Sequence, residues 1–258
     1  MARFVLVHGA FGGAWCWEPV VEALERDGHE AIAIDLPGSG EDQTAVGAVT
    51  LDAYGERVCE VLSAQDGPSI LVGHSMGGAV ITHGAARCPQ NVSLLVYVAA
   101  FMPSDGQSLL DMTKLPEAAG DVVQANLTVS GDPPVGALSE SAYGDGLMCC
   151  CTPAQIQWSI ARRRPQAVAP FGAPVRVPGG ALDAVPRAYV LTLQDYAIRP
   201  ALQRRMIAEH PCVDVVELDT DHTPALSATT ELVAALERFA SLGSSPGFAG
   251  LRSSPDEG

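Results

Sequence analysis

Three residues of the chain have side chains that together could carry out acyl transfer: Ser75, Asp195 and His222. A serine hydroxyl is a poor nucleophile until a neighbouring base removes its proton, and a histidine commonly serves as that base. A carboxylate can then fix the tautomer of the histidine and stabilise its protonated form. The three residues are far apart in the sequence, so this chemistry requires a fold that brings three separate segments together.

The candidate nucleophile lies in the string Gly73-His74-Ser75-Met76-Gly77, which fits the pattern G-x-S-x-G. An apolar run at residues 70–72 precedes it, and a helix-like segment begins at Gly78. This order of strand, sharp turn and helix is the context that a nucleophile elbow requires. The alternative is a glycine-rich turn with a surface serine, and the flanking strand and helix argue against it.

Asp195 and His222 follow the last two predicted strands, at residues 188–193 and 213–218. In an open parallel sheet, ligands bind beyond the carboxyl ends of the strands, so both side chains are well placed for a shared site. Asp105 is a rival for the acid because it follows an earlier strand. The chain order serine, aspartate, histidine favours Asp195. A surface position in a polar loop is the alternative for His222.

A glycine-rich loop, His8-Gly9-Ala10-Phe11-Gly12-Gly13, follows the first predicted strand, Arg3–Val7. Backbone N–H groups of such a loop can face a cavity. A developing oxyanion needs two preorganised donors, each contributing about 3–4 kcal/mol. We expect these donors to be the N–H groups of Ala10 and Met76, with His8 shaping the loop. The string is not G-x-G-x-x-G, so we expect no dinucleotide and no other cofactor.

Predicted strands and helices alternate along most of the chain, which is typical of a doubly wound, mostly parallel α/β sheet of about six strands. The predicted strands lie at residues 3–7, 29–34, 70–72, 92–99, 188–193 and 213–218. The predicted helices lie at residues 15–27, 50–64, 152–164, 200–210 and 229–242.

The alternation stops after Phe101, and residues 104–186 are rich in proline and glycine. So long a stretch is rarely a plain loop in a compact domain, so we expect an inserted, mainly helical cap. Residues 1–103 and 187–243 would then form the core, and residues 244–258 a disordered tail. Bulky side chains of the two parts are candidates to line a substrate pocket, although the cap residues among them would also suit the core of the cap: Phe11, Phe101, Leu147, Met148, Trp158 and Phe171.

The composition of the 258-residue chain excludes several classes of partner. Its net charge of −15 disfavours nucleic acid and anionic membranes, which both require a basic surface. No signal or transmembrane segment is visible, so we expect a cytoplasmic protein whose seven cysteines are free thiols. Cys149-Cys150-Cys151 is contiguous and no C-x-x-C occurs, so we expect no metal. We expect a small-molecule ester as the substrate, and whether the chain forms a homodimer stays open.

Several strings together resemble the plant methylesterase and hydroxynitrile lyase family of α/β-hydrolases over about residues 3–242. Bacterial carboxylesterases, including pyrethroid-hydrolase-like enzymes, share the pattern. The resemblance implies an α/β-hydrolase fold and a cofactor-independent serine hydrolase. It is weakest across the cap, so the substrate does not carry over from the family. We expect a carboxylesterase acting on a small or medium apolar ester. The strings are His8-Gly9-Ala10, Gly13-Ala14-Trp15-Cys16-Trp17, Gly73-His74-Ser75-Met76-Gly77-Gly78, Ala99-Ala100-Phe101-Met102-Pro103 and Asp221-His222.

Two positions separate the esterases of this family from its lyases. The lyases carry a threonine where this chain has Gly9, and a lysine after the histidine where it has Thr223. These departures argue against cyanohydrin cleavage. Two other classes of function stay open: a lyase or cyclase that uses the same cavity, and a non-hydrolysing binder of small molecules.

Overall fold

A parallel sheet of six strands forms the centre of the molecule, as predicted. The structure, a computed structural model, describes residues 1–243, and the predicted tail at 244–258 lies outside the described residues. The sheet has the order β2-β1-β3-β4-β8-β9, and each neighbouring pair is parallel. The strands are β1 (Arg3–Val7), β2 (Glu30–Ile34), β3 (Ser69–His74), β4 (Val92–Val98), β5 (Leu127–Ser130), β6 (Val135–Leu138), β7 (Gln166–Ala167), β8 (Arg187–Thr192) and β9 (Asp214–Leu218).

The helices follow the predicted pattern with small changes at their ends. The segment predicted as one helix at 15–27 begins as a 3₁₀ turn, Ala14–Trp17, before the α-helix starts at Glu18. No helix within residues 1–243 is long and apolar enough to cross a membrane. The α-helices are α1 (Glu18–Arg26), α2 (Leu51–Ser63), α3 (Gly77–Ala85), α4 (Leu109–Met112), α5 (Val122–Asn126), α6 (Pro153–Ile160), α7 (Ala169–Gly172), α8 (Pro200–Glu209), α9 (Pro224–Ser227) and α10 (Thr229–Gly243).

Helices cover both faces of the sheet because the central strands are apolar on both sides. Successive residues of a strand point to opposite faces. Leu71 of β3 therefore packs with Tyr54 of α2 on one face, and Val72 packs with Phe239 of α10 on the other. This three-layer arrangement buries residues 69–73 of β3 and fixes the position of the turn that follows the strand.

Residues 104–186, called here the insertion segment, connect β4 to β8. They contain the short helices α4 to α7, as expected, and also a three-stranded antiparallel sheet in the order β5-β6-β7, which the sequence did not indicate. Gln166 of β7 ties the segment to the core. Its Oε1 accepts from the Phe11 N–H over 3.3 Å, and its Nε2 donates to the Tyr54 hydroxyl over 2.9 Å.

The expectation that all seven cysteines are free thiols is wrong. Cys59 and Cys88 form a disulfide with an S–S distance of 2.07 Å. Cys59 lies on α2, and Cys88 follows the end of α3, which packs against α2. This packing brings the two Cα atoms to 6.0 Å, a normal separation for a disulfide.

Candidate active site

Ser75 occupies a strained turn between β3 and α3. Its φ of 55° lies in the left-handed region, which costs a non-glycine residue roughly 1–3 kcal/mol. The turn is tight enough to require glycine on both sides. A Cβ at Gly73 would lie 2.5 Å from the Gly77 carbonyl oxygen, and one at Gly77 would lie 2.7 Å from the Val7 oxygen. The strand–turn–helix geometry expected around this serine is therefore present.

The structure brings Ser75, His222 and Asp195 into one chain of hydrogen bonds. His222 Nε2 lies 2.9 Å from Ser75 Oγ, and His222 Nδ1 lies 2.8 Å from Asp195 Oδ2. Because the carboxylate can only accept, Nδ1 carries the proton in neutral His222, and Nε2 is free to accept the serine proton. His222 and Asp195 are only 4% and 1% exposed, so the hydrogen bond between them is shielded from water.

The Asp195 carboxylate is held rigidly at the end of β8. Its Oδ1 accepts from the backbone N–H groups of Ala197 and Ile198, both over 2.8 Å. Its Oδ2 accepts from Thr192 Oγ1 and Gln203 Nε2, both over 3.1 Å. These four donors fix both carboxylate oxygens, so the group presents a constant acceptor to the imidazole.

Asp105, the rival acid, lies elsewhere. It is exposed at the start of the insertion segment, and its Oδ1 accepts from the Val177 N–H over 2.7 Å. It lines a different cavity, together with Arg187 and His210. The structure therefore does not bring Asp105 to the imidazole.

His74 fixes the backbone beside the imidazole of His222. Its Nε2 donates to the His222 carbonyl oxygen over 2.7 Å, and the two rings lie 4.8 Å apart. Burial, together with the nearby His222, holds the pKa of His74 well below its ordinary value, so the ring stays neutral. No sequence pattern indicated this contact, because position 74 is a variable position of the elbow pattern.

His8 orients the loop that holds Ala10. The Leu36 N–H donates to His8 Nε2 over 3.2 Å, so the ring proton lies on Nδ1 and is donated to the Gly9 oxygen over 2.8 Å. Burial lowers the pKa of His8 and keeps the ring neutral. In a planar trans peptide the N–H points away from the preceding C=O, so fixing the Gly9 oxygen also fixes the Ala10 N–H.

The backbone N–H groups of Ala10 and Met76 are both available for a ligand. Within residues 1–243 neither N–H has an acceptor in the protein. Both residues line the same cavity as Ser75 and His222. Two unpaired donors next to the serine could stabilise a negative oxygen.

The cavity beside Ser75 is lined mainly by apolar side chains. Among the residues predicted to line a pocket, Phe11, Phe101, Leu147 and Phe171 do so. Met148 and Trp158 do not belong to this lining.

Packing explains why these two side chains lie away from the cavity. Met148 is fully buried in a small cluster with Tyr143 and Ala197. Trp158 packs edge-on against Trp15 with ring centroids 5.2 Å apart, and the guanidinium of Arg162 covers its ring at 4.3 Å.

Two charged residues of the insertion segment also line the cavity, and no sequence pattern indicated them. Asp121 is buried, which raises the pKa of its carboxyl group, and its Oδ1 accepts from the Val123 N–H over 2.7 Å. Arg163 places its guanidinium 4.5 Å from the ring centre of Tyr143. Both belong to a segment whose fold is set by tertiary contacts, so local sequence could not place them.

Comparison with known proteins agrees with this geometry. The family model described as "Alpha/beta hydrolase family" matches residues 4–236. The chain belongs to the alpha/beta hydrolase family. Methylesterase 18 of Arabidopsis thaliana is 33% identical over 93% of this chain and 97% of its own length. The corresponding values for methylesterase 17 of the same plant are 32%, 87% and 86%.

A solved structure of a pyrethroid hydrolase from Sphingobium faniae JZ-2 has a TM-score of 0.82 and 27% identity, over 95% of this chain and 98% of that one. The chain spans only 54–69% of the length of four longer Arabidopsis thaliana proteins whose names describe chloroplastic methylesterases. These similarities identify the chain as an esterase-type hydrolase of the carboxylesterase class.

Proposed function

We propose that the chain hydrolyses a carboxylic ester of a small or medium apolar substrate through an acyl-enzyme on Ser75. The observation that carries this proposal is the continuous hydrogen-bond chain from Ser75 through His222 to Asp195 at the wall of an apolar cavity. In this proposal Ser75 is the nucleophile, His222 the general base and Asp195 the residue that orients the base.

The proposed reaction has two halves. Ser75 Oγ attacks the ester carbonyl carbon while His222 Nε2 takes its proton, and the resulting oxyanion accepts from the Ala10 and Met76 N–H groups. The C–O bond to the alcohol then breaks as His222 returns the proton to the leaving oxygen. A water molecule attacks the acyl-enzyme in the same way, which releases the acid and restores Ser75.

The lining of the cavity supports an apolar substrate. Side chains such as Phe101 of the core and Phe171 of the insertion segment face the same space as Ser75. We propose that the insertion segment acts as a cap over the ester. Methyl esters are the first substrates to test, because methylesterases 17 and 18 of Arabidopsis thaliana resemble this chain over most of their length.

A phosphonate probe and one pair of variants test the proposal. A fluorophosphonate should label the wild type at Ser75, and Ser75→Ala should lose this labelling together with ester turnover by several orders of magnitude, since triad members act as a unit. Ser63→Ala, at an exposed serine, is the matched control and should keep both. Near-wild-type turnover of a methyl or p-nitrophenyl ester by Ser75→Ala would rule out the acyl-enzyme. Tight binding of an apolar ligand with no turnover would instead favour a binding protein.

A further inference from the structure

Three consecutive cysteines form a turn that touches the loops carrying Asp195 and His222. Cys149 Sγ lies 3.8 Å from the Gln194 backbone oxygen, and Cys150 Sγ lies 3.4 Å from Gln194 Oε1. Cys151 Sγ lies 3.5 Å from Thr223 Oγ1. The proposed hydrolysis uses none of these thiols, although they contact the immediate neighbours of both the acid and the base.

Two of these thiols and a carboxylate form a compact set of possible metal ligands. The Sγ atoms of Cys149 and Cys150 and a carboxylate oxygen of Asp221 all lie within 4.8 Å of one another. Neither thiol is in a disulfide, and both side chains are exposed, so an ion can reach them. The spacing of the cysteines gave no metal pattern because the third ligand comes from a distant segment.

The Asp221 carboxylate can present Oδ2 to an ion. Its Oδ1 accepts from Thr223 N over 2.9 Å, Thr223 Oγ1 over 3.0 Å and Ser227 Oγ over 2.7 Å. Its Oδ2 accepts the Cys150 N–H over 2.7 Å, and the Cys151 thiol also hydrogen-bonds the carboxylate. A thiol is a weak donor, so an ion can replace Cys151 at this carboxylate. The hydrogen bonds on Oδ1 hold the carboxylate in place.

We propose that Cys149, Cys150 and Asp221 form a binding site for a thiophilic divalent cation of the Zn²⁺ or Cd²⁺ type. Two thiolates and one carboxylate are typical of soft and borderline metals, whereas Mg²⁺ and Ca²⁺ require oxygen ligands throughout. Gln194 Oε1, next to Cys150 Sγ, offers a neutral oxygen as a further ligand.

The charges of the ligand set also favour a cation. Two thiolates and the Asp221 carboxylate would place three negative groups within 4.8 Å of one another, and a divalent cation would neutralise them. Cysteine binds a metal as the thiolate, so metal binding releases the thiol protons.

Occupation of this site should slow ester hydrolysis, a consequence that rests on the proposed function. Asp221 directly precedes His222, and its Oδ1 holds the N–H of Thr223 on the other side. An ion that draws Asp221 and Cys150 together would shift the backbone that positions the imidazole. A misplacement of about 1 Å at a catalytic group can cost roughly 10²-fold in rate.

Titration with Cd²⁺ tests binding without reference to activity. The full chain, kept free of oxygen so that the Cys59–Cys88 disulfide and the free thiols are both retained, should develop an ultraviolet thiolate-to-metal charge-transfer band that saturates at one ion per chain. The double variant Cys149→Ser, Cys150→Ser should lose the band, whereas Cys212→Ser, at a free cysteine elsewhere, should keep it. A wild type without the band, or a double variant that retains it, would overturn the site.

Ester turnover measured in the same titration tests the coupling. In the wild type and in Cys212→Ser, turnover should fall as the band grows and recover when a chelator is added, and Mg²⁺ should have no effect. The double variant should keep its turnover at the same Cd²⁺ concentration. Equal inhibition of the double variant would place the inhibiting ion elsewhere and overturn the coupling. A chain without any ester turnover would contradict the proposed function while leaving the band as the test of the site.

Discussion

Asp195 meets His222 through a single oxygen, Oδ2, which lies 2.8 Å from Nδ1, while its other oxygen accepts two backbone N–H groups. The two oxygens of the carboxylate therefore have different partners. Oδ1 anchors the group to the loop after β8, and Oδ2 accepts the hydrogen bond from His222 Nδ1–H together with those from Thr192 and Gln203. This division determines what an isosteric substitution should do, because an asparagine offers only one acceptor oxygen.

We predict that Asp195→Asn lowers turnover by about 10⁴-fold, by analogy with the same change in a serine protease. The backbone N–H groups should retain the amide oxygen at the anchoring position. The amide NH₂ would then face Nδ1 and favour the tautomer in which Nε2 carries the proton and cannot serve as the base. Steady-state kinetics with a p-nitrophenyl ester measures the loss.

Asp105→Asn is the matched control for this substitution. Its side chain is exposed and caps only the Val177 N–H, so turnover should stay near that of the wild type. If Asp105→Asn were the more damaging of the two variants, the acid of the proposed triad would be Asp105.

We predict that His8 makes the stability of the protein depend on pH. Burial lowers the pKa of His8 in the folded protein, and its Nε2 already accepts the Leu36 N–H, so a proton cannot be added there without breaking this bond. Above the unfolded pKa of about 6.5 both states are neutral and His8 contributes no pH dependence. As the pH falls below that value, the unfolded chain takes up a proton and the free energy of unfolding decreases by up to ~1.4 kcal/mol per pH unit.

Urea unfolding at about pH 7.5 and at about pH 5.5, one above and one below the unfolded pKa of about 6.5, measures the effect. The decrease in free energy of unfolding between the two conditions should be roughly 1 kcal/mol smaller in His8→Gln than in the wild type. The comparison uses the difference between pH values, so a general loss of stability in the variant does not affect it. An equal decrease in both proteins would show that His8 is protonated in the folded state.

We predict that Leu147 influences substrate size and Trp158 does not. Leu147 lines the cavity beside Ser75, whereas Trp158 packs against Trp15 and Arg162 outside this lining. Leu147→Ala should raise the ratio of kcat/KM for long over short acyl chains by roughly ten-fold, the lower end of the effect of one methylene group in an apolar pocket. Trp158→Ala should leave the ratio unchanged. A larger shift in Trp158→Ala would mean that the substrate lies on the other side of the insertion segment.

The sequence predicted the sheet and the position of Ser75 because both depend on local patterns. Apolar runs at β3 and β4 indicate strands buried on two faces, and the glycines around Ser75 reflect contacts within one turn. The sheet edge where Asp195 and His222 lie follows from the general rule that ligands bind beyond the carboxyl ends of parallel strands.

The insertion segment could not be predicted to the same depth. Its strands are as short as Gln166–Ala167, and their pairing joins β6 to a β7 that follows much later in the chain. The disulfide between Cys59 and Cys88 could not be predicted either, because the two residues are brought together only when α2 packs on α3. The closeness of Asp221 to the thiols of Cys149 and Cys150 was also unpredictable, because it depends on how the insertion segment folds over the core.

The last prediction concerns the class of reaction and rests on Gly9 and Thr223. A Cβ at Gly9 would lie 2.7 Å from Ser75 Cβ and 3.0 Å from His74 Nδ1, so any side chain there crowds the serine. Thr223 carries no charge, and its hydroxyl donates to Asp221 over 3.0 Å. A departing cyanide therefore has no cation beside it at this position, whereas an acyl group has free access to Ser75.

We therefore expect ester hydrolysis by the wild type. We expect no cyanide release from mandelonitrile or acetone cyanohydrin above background. Gly9→Thr should lower ester turnover by displacing Ser75, and Gly47→Ala, whose new Cβ would meet only Pro133 at 3.4 Å, is the matched control. Cyanide release by the wild type without turnover of any ester in a broad panel would show that the cavity performs lyase chemistry despite these two residues.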